Sequence, residues 1–255
     1  MGAVRFLAAA LLALAPALPV PAARSAEAPT PPAQSWPFAG LFGAFDRDAL
    51  QRGFQVYKEV CAACHSMDQL HYRNLAALGY TEDEIKAIAA TVAVEDGPND
   101  QGEMFMRPGR PYDRFKAPFP NEQAARYANN GAFPPDLSVI VKAVPHGADF
   151  IYALLTGYKD PPADMKMNEG MQYNTAFAGQ QIAMPAPLFE GGIEYKDGTK
   201  ATVPQMARDV TTFLAWAAEP EMEERKSLGL SVMLVLIVLT ALLFALKRKI
   251  WSDLH

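Results

Sequence analysis

The sequence predicts a mainly α-helical domain with long Pro- and Gly-rich loops, exported from the cytoplasm and followed by one C-terminal transmembrane helix. Three observations carry this. Apolar residues recur at helical spacing in several short stretches, Pro- and Gly-rich segments separate them, and both ends of the 255-residue chain hold uncharged apolar runs. Half of the residues are hydrophobic and a fifth are charged, the balance of a globular protein of one or two domains.

The ends set the compartment. A lone Arg5, an apolar run from Phe6 to Val20 and small residues at Ala22, Ala23, Ser25 and Ala26 make residues 1–26 a cleavable secretory signal. The run is too short for a span and is broken by Pro16 and Pro19, and no Cys follows it to take a lipid. Leu228 to Leu246 carry no charge, and at 1.5 Å per residue they cover about 28 Å, close to a bilayer's hydrocarbon thickness. Lys247, Arg248 and Lys249 follow at once, with Trp251 at the interface, which puts the C-terminus in the cytoplasm. The expected division is therefore a signal over 1–26, an exported domain over 27–226, a transmembrane helix over 227–247 and a cytoplasmic tail over 248–255. Without Arg5 and Arg24 the mature chain has 21 basic against 28 acidic residues, a net charge of −7. That favours a basic soluble partner and argues against nucleic acid.

Within the exported part, Asp46 is an N-cap for a first helix in which Leu50, Phe54, Tyr57 and Cys61 fall at helical spacing. Gly53, Tyr57 and Cys61 share a stripe, where the glycine permits another helix to approach closely. Thr81-Glu82-Asp83-Glu84 is a capping box for a second helix through Val94. From Asp96 to Pro135 the chain holds seven prolines, and only Asn121 to Asn130 reads as helical. Its stiffest part is Asn129-Asn130-Gly131-Ala132-Phe133-Pro134-Pro135-Asp136-Leu137. A short helix is expected from Asp149 to Thr156, ended by Gly157, then a loop from Lys159 to Met184, then a helix from Pro204 through Ala218.

The only two cysteines lie in Cys61-Ala62-Ala63-Cys64-His65, the attachment pattern of a c-type haem. Two thiols three residues apart can each add to a haem vinyl group, and the adjacent imidazole becomes the proximal iron ligand. Other readings lack parts. Zinc needs about four ligands and there is no second Cys pair, a thioredoxin-like pair needs a βαβ context, and a disulfide between such close residues is strained and leaves His65 without a role. Tyr57, one turn before Cys61, is placed to cover a haem edge, and the stiff loop through Asn129, Ala132, Pro134 and Pro135 to wrap the porphyrin. The cofactor expected is one covalently bound haem c.

The sixth ligand must come from elsewhere. Met1 leaves with the signal, Met233 lies in the membrane, His255 is cytoplasmic and His71 is too near the motif to cross the ring plane. Met184, held in an extended loop by Pro185 and Pro187, is favoured on spacing, with Met104 and Met106 beside Arg107-Pro108 as rivals.

Several blocks together resemble the cytochrome c1 family. They are Trp36-Pro37-Phe38, the run Leu50 to Cys61, Asn129-Asn130-Gly131-Ala132 with Pro134-Pro135-Asp136-Leu137-Ser138, and Trp216-Ala217-Ala218-Glu219-Pro220. The resemblance implies a class I cytochrome c-like haem domain. It also implies the axial methionine of a Gly-Gln-x-Ile-x-Met segment, which here is Gly179 to Met184, so that the metal ligands are His65 and Met184. Two departures stand out. Where the family commonly has an Arg-His pair that meets a haem propionate, an ungapped reading gives Val144-Pro145, leaving Lys142 or His146 as substitutes. Two cysteines also leave none for the extra disulfide of some bacterial relatives.

With both axial positions filled, the iron has no open catalytic site and electron transfer remains. The resemblance places the chain in the cytochrome bc1 complex of a bacterial inner membrane, a dimeric assembly, with its haem domain on the periplasmic side. It would work beside cytochrome b, taking electrons from the Rieske iron-sulfur protein and passing them to a soluble cytochrome c. The competing expectations are a membrane-anchored cytochrome of an oxidase or photosynthetic chain, and a haem sensor or peroxidase with an open sixth site.

Overall fold

The computed structural model describes residues 29–252, so the signal expected over residues 1–26 and the last three residues lie outside the described part. Two helices build the centre. Helix α1, Arg47–Glu59, starts where the Asp46 carboxylate accepts from the amides of Asp48 at 3.0 Å and Ala49 at 3.3 Å, and it buries Leu50, Gly53, Phe54, Val56 and Tyr57 along one stripe. Helix α6, Val203–Ala218, is capped by Thr202, has Pro204 in its first turn, and is buried on nearly every face from Met206 to Ala217. The two pack at Gly53, where a Cβ would stand 2.1 Å from the carbonyl oxygen of Asp209. Glycine is required there because the α6 backbone occupies the space that a side chain would take.

Around that crossing the core is aromatic. Phe213 lies 5.6 Å from Phe54, 5.7 Å from Tyr57 and 5.7 Å from Trp216 between ring centroids, and Phe115 stacks on Tyr72 at 4.8 Å. Arg52 closes the same crossing by pairing with the buried Asp209 at 3.0 Å and with Asp197 at 3.0 Å. The N-terminal segment is tied in by Trp36, whose Nε1 donates to Asp149 at 2.6 Å while its ring lies under the Arg208 guanidinium at 4.9 Å.

Three expectations change. Helix α2 spans Glu82–Ala89, begun by the Thr81–Glu84 capping box, and stops five residues before Val94. The β-branched Thr91 and Val92 follow, and Ala93–Asp96 forms strand β1, antiparallel to β2 at Phe105–Pro108, inside a stretch expected to be irregular. After α3, Glu122–Ala128, and the single turn α4, Ile140–Ala143, helix α5 is Gly147–Thr156. It begins two residues before Asp149, whose carboxylate is turned to Trp36 and the Gln34 amide rather than capping the helix. A two-residue ribbon, β3 at Gln172–Tyr173 and β4 at Gln181–Ile182, folds the loop ahead of Met184.

Helix α7, Met222–Trp251, is long and apolar enough to cross a membrane, and of its residues only Met222 is buried. It runs without a break through the expected boundary at 226/227, so this apolar helix is a direct extension of the domain rather than a tethered segment.

Candidate functional site

α1 delivers the Cys61 motif. Its last turn passes into a 3₁₀ turn over Cys61–Ala63, where the Cys64 and His65 amides both donate to the Cys61 carbonyl, at 3.1 and 2.9 Å. Neither cysteine is in a disulfide; Cys61 is half-buried and Cys64 exposed. Burial pushes the Cys61 thiol up to about 12, so it stands as a neutral thiol beside a more accessible one.

His65 Nδ1 lies 2.8 Å from the carbonyl oxygen of Pro135. A carbonyl can only accept, so Nδ1 carries the proton and Nε2 is left with its lone pair. Burial lowers the pKa of this imidazole despite the opposing pull of the Pro135 bond, which favours the neutral, ligating form.

The Pro135 carbonyl is in turn fixed by a clamp between two distant segments. Asp136 accepts from Ser66 Oγ, the Asp68 amide and the Ser138 amide, each at 2.8 Å. The Leu137 amide donates to the Ser66 carbonyl at 2.9 Å, and the Gln69 amide to Ser138 Oγ at 3.0 Å. Met67, within the clamped stretch, is fully buried and roots it in the core. Burial alone would raise the Asp136 pKa, but the hydrogen bonds from Ser138, Asp68 and Ser66 outweigh it and hold the carboxyl below its usual range.

A lowered native pKa means that the Asp136 contribution is present above the ordinary carboxylate pKa of about 4 and is lost as pH falls through the native value. Asp136→Asn is expected to cost about 2 kcal/mol at pH 7, because one neutral oxygen replaces a charged acceptor of three bonds. In urea titrations the gap between the two proteins should narrow progressively as pH falls below the ordinary carboxylate pKa of about 4. A gap that is the same at every pH would rule out the carboxylate as its source.

The loop expected to wrap a porphyrin has its own framework. Asn129 Nδ2 donates to the Ala125 carbonyl at 2.8 Å, the Ala132 amide donates to the Asn129 carbonyl at 2.9 Å, and Arg126 donates to the Gly131 carbonyl at 3.0 Å. Asn129, Ala132 and Pro134 are half-buried and Pro135 is exposed. Tyr57 is buried, its ring stacked on Phe115 at 6.0 Å, and burial raises its phenol pKa.

Among the methionines weighed for the iron, Met184 is half-buried and its carbonyl accepts from Tyr158 Oη at 3.1 Å. Met104 and Met106 are 56% and 58% exposed; Met106 lies on β2, and Met104 just precedes that strand. Arg107 pins the hairpin by binding Asp96 and, at 2.6 Å, Asp113. Of the two residues expected near a propionate, Lys142 is 3.0 Å from Glu219. His146 enters α5 in the left-handed region at φ 62° and makes no capping bond.

Residues that sequence reasoning passed over are Ser66, Asp68 and Gln69. Only the Asp136-Leu137-Ser138 run, rich in local hydrogen-bonding side chains, hinted at them.

Comparison with known proteins gives the family of the chain. Residues 36–254 match the model of the cytochrome C1 family. A cytochrome c1 of Rhodospirillum rubrum is 50% identical, over 86% of this chain and 87% of its own. A protein of Candida albicans named as the catalytic subunit of the mitochondrial cytochrome b-c1 complex is 51% identical over 88% of this chain and 78% of its own. One of Bradyrhizobium diazoefficiens named cytochrome b/c1 is 48% identical over 88% of this chain, which spans 36% of that longer protein. The chain belongs to the cytochrome c1 family.

Proposed function

We propose that the chain is the haem-bearing electron carrier of a cytochrome bc1 complex, with one haem c joined to Cys61 and Cys64 and held by His65 and Met184. The observation that carries this is the His65 imidazole, its Nδ1 committed to Pro135 and its Nε2 free, directly after two unpaired thiols. When bound, the haem supplies a reversible one-electron iron couple. The protein's share is to fix the proximal imidazole through the Asp136 clamp and to present Met184 from a loop stiffened by Pro185 and Pro187. Met184 is preferred to Met104 and Met106 because a ligand loop must hold its thioether out of water, and those two are exposed on a hairpin. In this reading Pro135 lies against His65, Asn129, Ala132 and Pro134 of the same loop line the porphyrin, and Tyr57 backs the motif from the aromatic core.

The names of the Candida and Bradyrhizobium relatives support cytochrome b as a neighbour. In this reading the electron arrives from the Rieske iron-sulfur protein and leaves to a soluble cytochrome c. α7 is the single anchor in a bacterial inner membrane, the haem domain is periplasmic and the complex dimeric. Carbon monoxide is the direct test of the carrier reading. The reduced protein should resist it at neutral pH, and rapid binding would instead favour an open-site sensor or peroxidase.

The excess of acidic over basic residues makes a second prediction. Reduction of a basic soluble cytochrome c should slow roughly tenfold as ionic strength rises from about 0.01 M to 0.3 M. A rate independent of salt would show that charge does not guide the partner.

A further inference from the structure

The turn between Trp36 and Phe45 is bolted to the start of α7. Lys226 Nζ donates to the carbonyls of Phe38 and Gly43 at 2.8 and 2.9 Å. Glu223 accepts from the Phe45 amide at 2.7 Å and from the Arg47 guanidinium at 2.5 Å. At the tip of this turn Leu41 and Phe42 are 61% and 81% exposed, and no charged residue lies between Ser35 and Asp46. Leaving two such side chains in water forgoes about 1.5–3 kcal/mol of transfer free energy each. A groove of about 530 Å³ separates the turn from α7, walled by Leu41, Phe42 and Phe45 on one side and Leu230 on the other.

The depth of the turn follows from its fastening. Lys226 is the last charge before the uncharged run of α7. Leu230 is one turn further on, a rise of about 6 Å, which is comparable with the headgroup layer on each side of a bilayer's hydrocarbon core. Phe42 shares a groove with Leu230, so it sits at the level where the helix leaves water.

We propose that this turn is a second membrane contact, with Leu41 and Phe42 inserted at the headgroup–acyl boundary and phospholipid acyl chains filling the groove beside α7. The inference rests on reading α7 as the anchor. Its consequence is mechanical. A domain held by one helix can swing about it, whereas two attachments, joined rigidly through Lys226 and Glu223, set the tilt of the Cys61 motif above the membrane.

Photolabelling tests this on the haem-loaded full-length chain in phospholipid nanodiscs carrying a diazirine acyl chain. Peptide mapping should find lipid adducts in residues 39–45 as well as along residues 230–245. The double variant Leu41→Ser/Phe42→Ser, which alters only exposed side chains, should lower labelling of the turn about fivefold and leave that of α7 unchanged. Adducts on α7 with none on the turn would overturn the second contact and leave the anchor standing. Absence of adducts from both would overturn the anchor reading and the second contact with it.

Discussion

Replacing Met184 with leucine is expected to leave the haem covalently attached and to lower its potential by hundreds of millivolts, within the roughly 0.8 V over which axial ligands tune haem iron. In the proposed attachment the thioether bonds are made by Cys61 and Cys64, at the end of α1 and more than a hundred residues from Met184 in sequence. Leucine is close to methionine in volume, and the bond to this residue's own backbone, from Tyr158 Oη to the Met184 carbonyl, is kept. In the proposed ligation, what goes is the soft sulfur donor that favours ferrous iron. For a one-electron couple each 59 mV is a factor of ten. A fall of about 200 mV would therefore make electron arrival at this haem more than a thousand times less favourable, and turnover from quinol to soluble cytochrome should nearly cease. Redox titration of the purified variant reads the potential, and a new carbon monoxide band on the reduced protein reads the opened site. An unchanged potential would move the assignment to Met104 or Met106, whose leucine variants should otherwise titrate like the parent.

The parts of this fold that the amino-acid order reveals are those decided within one or two turns of chain. Asp46, Thr81 and Asn121 each supply a side-chain oxygen to an amide two or three residues on, and each helix begins there. Cys61 to His65 is legible for the same reason, since its chemistry is contained in five residues. Helix ends were less so. The second helix stops at Ala89 because Ala93–Asp96 pairs with Phe105–Pro108, a partner nine or more residues away that no periodicity reports. Asp149 looked like a cap from its neighbours, yet its carboxylate is taken by Trp36, 113 residues earlier. The Asp136 clamp is the clearest case. Its acceptor was visible as part of a stiff loop, but its donors Ser66 and Asp68 lie about seventy residues back, and ordinary polar residues after a haem motif carry no mark of being donors.

Gly53→Ala is expected to be severely destabilising, costing about 4 kcal/mol or more. In an exposed helix the same change would stabilise by about 1 kcal/mol, through the lower backbone entropy of alanine. Here the added methyl would stand 2.1 Å from the Asp209 carbonyl oxygen, 2.7 Å from its carbon and 2.7 Å from Phe213 Cβ. Two of those atoms are backbone, so no rotamer change relieves the overlap, and α1 and α6 must separate by about 1 Å or more. Separation carries costs beyond the clash. The Phe213 ring withdraws from Phe54 and Tyr57, and the Arg52–Asp209 pair is stretched while Asp209 stays buried. Since α1 carries Cys61 at its end, the displacement reaches the haem motif, and the yield of haem-loaded protein should fall with stability. A loss of this size corresponds to a fall in melting temperature of about 8–16 °C for a domain of this length. Gly79→Ala is a useful comparison, because its nearest neighbour is the flexible end of Gln51 at 3.3 Å, although its φ of +94° adds local strain. If Gly53→Ala melted no lower than Gly79→Ala, the close α1–α6 contact would not be the feature that holds this core together.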